Sequence, residues 1–138
     1  MSLEWREQLS VGNDVIDSDH KYLIEIINRV EEGLKTHDRQ GLGTALDHLE
    51  QYAKSHFDAE EKIGSAAGYP DVQHLHESHA ALIADLNQMK LDFAGQWTPE
   101  LGEHFSALLR GWLINHVIKE DLLMKPFLAR RSPKFDPR

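Results

Sequence analysis

Apolar residues recur every three or four positions along four stretches of the chain, and no stretch shows the strict apolar–polar alternation of a half-buried strand. This spacing predicts four amphipathic helices, each with one narrow apolar face. The positions on the four faces are His20, Leu23, Ile27, Val30 and Leu34; Leu42, Leu46, Leu49, Ala53, His56, Glu60 and Ile63; Val72, Leu75, His79, Leu82, Leu86, Met89 and Phe93; and Leu101, Phe105, Leu108, Trp112 and His116.

Capping residues, glycines and prolines set the predicted ends of these helices. The predicted boundaries are a cap at Asp17, Ser18 or Asp19 with a helix to about Thr36; a helix from about Gln40 to Gly64; a helix that follows Pro70 and stops at Gly95; and a cap at Thr98 with a helix that continues into Leu123 and Phe127. Helices joined by such short connectors pack as antiparallel neighbours. The sequence therefore predicts an all-α, up-down-up-down antiparallel four-helix bundle.

The whole chain is expected to form a single domain, because 138 residues suffice for one core and not for two ordinary ones. Within it we expect an irregular N-terminal arm over residues 1–16, the bundle over 17–129 and a frayed basic tail over 130–138. The four apolar faces account for one bundle and leave no second apolar stripe. A monomer is therefore expected.

Composition narrows the range of possible partners and sites. Fifteen basic against 23 acidic residues give a net charge of −8, which disfavours nucleic acid as a partner. No apolar run approaches the length of a membrane span, and the first residues do not resemble a secretion signal, so we expect no membrane partner and a cytoplasmic location. The chain has no cysteine, which excludes disulfides, thiolate metal sites and cysteine nucleophiles.

Histidine interrupts each of the four apolar faces, at His20, His56, His79 and His116. A single such histidine is usually a hydrogen-bonded core residue. Counted from the helix ends at a rise of about 1.5 Å per residue, however, all four fall within about 6 Å of one level of the bundle. Four imidazoles that meet in one layer of the core point to a metal site.

Two carboxylates belong to the same layer: Glu60 follows His56 by one helical turn, and Asp121 follows His116 by five residues. Imidazole nitrogens with carboxylate oxygens suit iron, manganese or zinc, and two metals bridged by both acids would use all six groups. We expect solvent exposure for the polar residues that fall off the apolar faces, which are Glu61, Glu120, His37, His48 and His104.

Several short motifs follow one another between about residues 5 and 128. They are Trp5, the string Asp17-Ser18-Asp19-His20-Lys21, the string His56-Phe57-Asp58-Ala59-Glu60-Glu61, Gly68-Tyr69-Pro70, Trp112-Leu113, and the spacing from His116 to Asp121. In this order and spacing the chain resembles the bacterial single-domain hemerythrins. The resemblance implies a four-helix bundle with a non-haem centre of two iron ions, linked by an oxo or hydroxo bridge, that binds dioxygen reversibly.

Carried over by motif, the resemblance implies a ligand set: His20 and His56 for one iron, His79 and His116 for the other, and Glu60 and Asp121 as bridging carboxylates. The family pattern on the third helix is His-x-x-x-His, whose first position falls on Leu75, which cannot bind a metal. Either His76 or, with a distorted helix start, His74 takes that place, or the position is open or filled by water.

The leading hypothesis is thus a dioxygen carrier, store or scavenger rather than an enzyme, with an apolar wall around the oxygen ligand formed by Leu23, Leu82, Trp112 and Leu113. One alternative is a di-iron peroxidase or oxidase, or a nitric-oxide-handling site, opened by the lost ligand at Leu75. A sensor of oxygen or iron is a further alternative. A mononuclear zinc or nickel bundle would leave Glu60 and Asp121 without a role.

Overall fold

Four long helices make up most of the chain in the computed structural model, which describes residues 3–95 and 97–138. No strand occurs within these ranges. The helices form the up-down-up-down bundle that the sequence predicts. The elements are a 3-10 turn at Glu7–Leu9, α1 at Asp14–Thr36, α2 at Arg39–Ala66, α3 at Val72–Ala94, α4 at Pro99–Lys119, a 3-10 turn at Asp121–Met124, and the short helix α5 at Lys125–Leu128.

Helix α1 begins earlier than the capping pattern predicts. Asn13 caps it by accepting hydrogen bonds from the backbone N–H groups of Val15 and Ile16. Asp17, one of the three expected caps, lies inside the helix and accepts hydrogen bonds from the backbone of Val11 and the hydroxyl of Ser10. This carboxylate therefore fastens the N-terminal arm to α1 instead of starting the helix.

The caps of α2 and α4 follow ordinary capping chemistry. Asp38 accepts a hydrogen bond from the Gly41 N–H at 2.9 Å. Thr98, the predicted cap, accepts one from the Leu101 N–H at 3.2 Å. Each side chain satisfies a backbone donor that the first helical turn leaves unpaired.

Helix α4 ends at Lys119, whereas the apolar pattern predicts that it continues into Leu123 and Phe127. A 3-10 turn follows and carries Asp121 into the interior, where it is fully buried. In an uninterrupted α-helix, two residues five positions apart would point about 140° away from each other. The break therefore brings the Asp121 carboxylate to the same side as His116.

The buried apolar residues form two clusters. The larger one fills the bundle and includes Leu23, Ile27, Leu49 and Leu86. The smaller one closes the end next to the arm and consists of Val11, Ile16, Ile63, Ala67, Tyr69, Leu75, Met124 and Leu128. Along α1, α2 and α3 the buried histidine lies between residues of the two clusters, and after His116 of α4 the chain reaches the smaller cluster at Met124 and Leu128. A polar layer therefore separates the two apolar clusters.

The basic tail packs against the start of α1, although its composition predicts fraying. Asp14 donates its backbone N–H to Pro133 at 2.7 Å, and the Asn13 amide donates to the carbonyl of Phe135 at 2.9 Å. The ring of Phe135 also contacts the smaller apolar cluster. Among the described residues, no helix combines the length and apolar character that crossing a membrane requires.

Candidate metal centre

Six polar side chains are buried in the layer between the two apolar clusters, and none of these residues is more than 5% exposed. They are His20 from α1, His56 and Glu60 from α2, His79 from α3, His116 from α4, and Asp121 from the turn after α4. These are the six residues for which the sequence predicts a shared layer. The structure brings all six together.

The six side chains divide into two groups of four that share both carboxylates. The first half-site consists of His20, His56, Glu60 and Asp121, and the second half-site of Glu60, His79, His116 and Asp121. Within each half-site, one nitrogen or oxygen from every residue lies within 4.8 Å of the others.

Each carboxylate turns one oxygen toward each half-site. In Glu60, Oε2 lies 2.7 Å from His56 Nε2, while Oε1 lies 3.2 Å from His79 Nε2. In Asp121, Oδ2 lies 3.1 Å from His20 Nε2, while Oδ1 lies 2.9 Å from His116 Nε2. This division of oxygens is the arrangement that two bridging carboxylates require.

Several of these close contacts lack hydrogen-bond geometry. His56 Nε2 and both oxygens of Asp121 have no hydrogen-bond partner among the described residues, although each is fully buried. In the second half-site, Nε2 of His79 and Nε2 of His116 face each other at 3.1 Å. Buried polar atoms without partners are costly, so atoms that converge in this way fit a cation between them. The donor set therefore fits a pair of metal ions.

Electrostatics favours positive charge at the centre of the layer. Burial alone would lower the pKa of His20 and of His116, but the close carboxylates of Asp121 and Glu60 raise each pKa to about 10. A metal ion bound between these side chains would displace the protons of the two imidazoles as it binds.

Two further carboxylates orient the histidines from outside the layer: Asp19, which the sequence suggests as a helix cap, and Glu61, which it predicts to be exposed. Asp19 accepts a hydrogen bond from His56 Nδ1 at 2.9 Å and another from the Tyr52 hydroxyl at 2.7 Å. Burial would raise the pKa of Asp19, but these two hydrogen bonds lower it. Glu61 accepts a hydrogen bond from His79 Nδ1 at 2.7 Å. Each residue is adjacent in sequence to a member of the layer, and a step of about 100° turns it toward the next helix.

The neighbours of Leu75 do not reach the layer. His76 is 61% exposed, and its Nδ1 lies 2.7 Å from Glu61 Oε1. His74 is 63% exposed and lies 3.2 Å from Glu120. Leu75 itself is buried in the smaller apolar cluster. Helical geometry explains the outcome, since only Leu75 lies one turn before His79 on the inward face.

The predicted apolar wall lies next to the layer. Leu23, Trp112 and Leu113 are buried in the larger cluster, and Leu82 is half-buried against it. The Trp112 indole donates a hydrogen bond to the Leu82 carbonyl at 2.9 Å.

The five residues expected to be exposed differ in their observed solvent exposure. His37 and His104 are exposed, as expected, whereas the structure places His48, Glu61 and Glu120 in half-buried positions. Glu61 and Glu120 are covered because each pairs with a histidine on α3.

A groove of about 910 Å³ runs between α3 and α4 and reaches the second half-site. Its lining includes Ser78, Leu82, Phe105, Trp112 and His116. The groove connects the solvent with the edge of the polar layer at His116.

Comparison with known proteins gives the family. Residues 11–128 match the model of the hemerythrin HHE cation-binding domain. The chain is 31% identical over 120 residues to a bacteriohemerythrin of Stenotrophomonas maltophilia, covering 86% of this chain and 76% of that protein. It is 30% identical over 114 residues to the bacteriohemerythrin of Methylococcus capsulatus, covering 82% and 86% of the two chains.

The fold agrees with this match. A crystal structure of wild-type hemerythrin superposes with a TM-score of 0.80 at 24% identity, covering 94% of this chain and 99% of the other. The cation-binding domain model spans all six residues of the polar layer. The chain is a member of the bacterial hemerythrin family.

Proposed function

We propose that this chain binds two iron ions in the polar layer and uses them to bind dioxygen reversibly. The observation that carries the proposal is the sharing of Glu60 and Asp121 between two groups of four buried donors. One metal ion would not use both oxygens of both carboxylates. Family membership supports iron as the metal.

The six side chains would supply ligands to both ions. His20 and His56 would bind the first ion and His79 and His116 the second, while Glu60 and Asp121 would bridge them. The two bridging carboxylates carry two negative charges against the four positive charges of two Fe(II) ions, which reduces the cost of burying the loaded centre. When bound, reduced iron supplies the electrons and the open coordination position that dioxygen binding needs.

The surroundings would protect the oxygen-bound state. Leu23, Trp112 and Leu113 are buried at 0%, 6% and 2% exposure and present apolar surface beside the layer. An apolar wall destabilises a separated anion and keeps water away from the ligand. Leu82 lies at the boundary between this wall and the groove, through which a small ligand would reach the second half-site.

Anaerobic reconstitution tests the proposal. Iron-free protein is loaded with Fe(II), the iron bound per chain is counted, and the visible spectrum is recorded before and after air is admitted. The proposal predicts two irons per chain and an oxygen-dependent visible band that disappears when oxygen is removed. One iron or none per chain, or two irons with no oxygen-dependent band, would contradict it.

The packing of Leu75 favours one second candidate, a di-iron peroxidase or oxidase. Leu75 is 1% exposed among apolar residues, and neither His74 nor His76 turns inward to replace the missing imidazole. The second half-site therefore offers two imidazoles rather than three, which leaves an additional position open to a ligand or substrate. Peroxide turnover measured in the parent and in Leu75→His separates the two functions, because a third imidazole should suppress turnover.

A further inference from the structure

We infer that Glu61 is a positioning residue of the second half-site and that His76 holds it in place. The inference rests on the proposed function, because it concerns how one of the proposed iron ligands is oriented. It gives His76 a role outside the ligand set, in place of the metal-binding role that the sequence left open.

Both oxygens of Glu61 are engaged by imidazoles of the same helix. Oε2 accepts a hydrogen bond from Nδ1 of the buried His79, and Oε1 accepts one from Nδ1 of the exposed His76, each at 2.7 Å. The two histidines are three residues apart on α3, so they present their rings on one side of the helix. The Glu61 carboxylate, which comes from α2, thus links a histidine on the surface of α3 to a histidine in the interior.

The hydrogen bond from His79 determines which ring nitrogen is available to a metal. With Nδ1–H donated to Glu61, the lone pair of the neutral ring lies on Nε2, and Nε2 is the atom that points into the half-site, 3.2 Å from Glu60 Oε1. A carboxylate in this position also makes the imidazole a stronger ligand. Glu61 therefore sets both the tautomer of His79 and its strength as a donor.

Packing holds the same ring from another side. The rings of Phe57 and His79 stack with centroids 4.1 Å apart and planes inclined by 7°. Phe57 fixes the plane of the imidazole, and Glu61 fixes the direction in which its nitrogens point. Among residues 3–95 and 97–138, no other imidazole of the layer has both a parallel-stacked aromatic ring and a hydrogen bond from Nδ1 to a carboxylate.

The second half-site depends on this orientation more than the first. His116 Nδ1 has only a long contact of 3.4 Å with the Ser78 hydroxyl. Since Leu75 supplies no ligand, His79 and His116 are the two imidazoles there. Glu61 consequently controls the better-oriented of the two, and His76 keeps that carboxylate from turning to solvent, where Glu61 is 20% exposed.

Anaerobic Fe(II) titration of Glu61→Ala, Glu61→Gln and His76→Ala tests the inference, with the reduction potential of the loaded centre as a second measurement. His74→Ala is the matched control, because His74 is equally exposed on the same helix and pairs with a different carboxylate, Glu120. Circular dichroism of each iron-free variant verifies that the bundle is folded.

Glu61→Ala should weaken one of the two iron-binding steps by about 10–100-fold and leave the other near the parent value. Glu61→Gln keeps an oxygen that can accept from His79 but loses the charge, so it should retain most of the affinity and raise the reduction potential. His76→Ala should weaken the same step by a smaller factor, and His74→Ala should change neither measurement.

If Glu61→Ala still binds two irons per chain with the parent's affinities and reduction potential, the inference is overturned. Equal effects of His76→Ala and His74→Ala would overturn the role of His76. A parent protein that fails to bind two irons would overturn the proposed function itself, and the inference with it.

Discussion

Replacing Leu75 by histidine restores the residue that the family pattern places at this position, and the outcome should depend on whether iron is present. Leu75 lies one turn before His79 on the inward face of α3 and is 1% exposed among apolar residues. Its imidazole replacement would therefore lie next to the second half-site in a pocket that offers it no polar partner.

The expected loss in the free energy of unfolding follows from the burial of Leu75. Removing the fully buried leucine side chain forfeits about 1.5–3 kcal/mol, and an unpaired buried imidazole nitrogen adds about 1–3 kcal/mol. We expect Leu75→His to lower the free energy of unfolding of the iron-free protein by about 3–5 kcal/mol. In the iron-loaded protein the nitrogen gains a metal partner, so the loss should shrink by about 1–3 kcal/mol.

Chemical denaturation of the iron-free and iron-loaded forms measures both values. Leu75→Ala is the control, since it creates a cavity, costs about 2–5 kcal/mol and supplies no ligand, so its loss should be the same in both forms. An equal loss for Leu75→His with and without iron would refute the reasoning, because it would mean that position 75 does not reach the second half-site.

Three further predictions concern the fold and the apolar wall. Arg110 and the buried Glu31 form two hydrogen bonds of 2.8 Å between α4 and α1, so Arg110→Leu should cost about 2–4 kcal/mol in chemical denaturation by leaving a buried charge unpaired. The double variant Glu31→Leu/Arg110→Leu should recover most of that loss, and no recovery would contradict a simple pairing role. Asp38→Ala removes the cap of α2 and should lower the free energy of unfolding by about 1 kcal/mol; an unchanged denaturation midpoint would argue against the cap. Leu23→Thr places a hydroxyl one turn after His20 in the apolar wall, so the oxygen-dependent visible band should decay faster than in the parent, whereas an equal or slower decay would remove Leu23 from the wall.

Periodicity was sufficient to predict the bundle and the level at which its histidines meet. The apolar pattern of each long helix extends over enough turns that an error at a helix end leaves the pattern intact, and the Thr98 cap is recognisable from the sequence. Asn13 was missed as the cap of α1 because Asp17 is an equally good cap by residue type. The hydrogen bond between Asp17 and the arm, which leaves Asn13 as the cap, depends on how the arm packs against α1.

The surroundings of the layer were less predictable than the layer itself. Asp121 was assigned to it by spacing, yet the break in α4 that turns its carboxylate inward depends on tertiary packing rather than local sequence. The sequence suggests a capping role for Asp19 and solvent exposure for Glu61, because a residue beside an inward position can face solvent or the neighbouring helix and periodicity does not distinguish the two. Their partners, His56 and His79, come from other helices.

X-ray absorption at the iron edge of the Fe(II)-loaded protein tests most directly whether Glu60 and Asp121 join two metal ions. Bridging predicts two irons per chain and an iron–iron scattering shell at about 4 Å or less, and it predicts that Asp121→Ala abolishes that shell. Nitrogen and oxygen shells alone, with one metal per chain and no second iron nearby, would contradict the account.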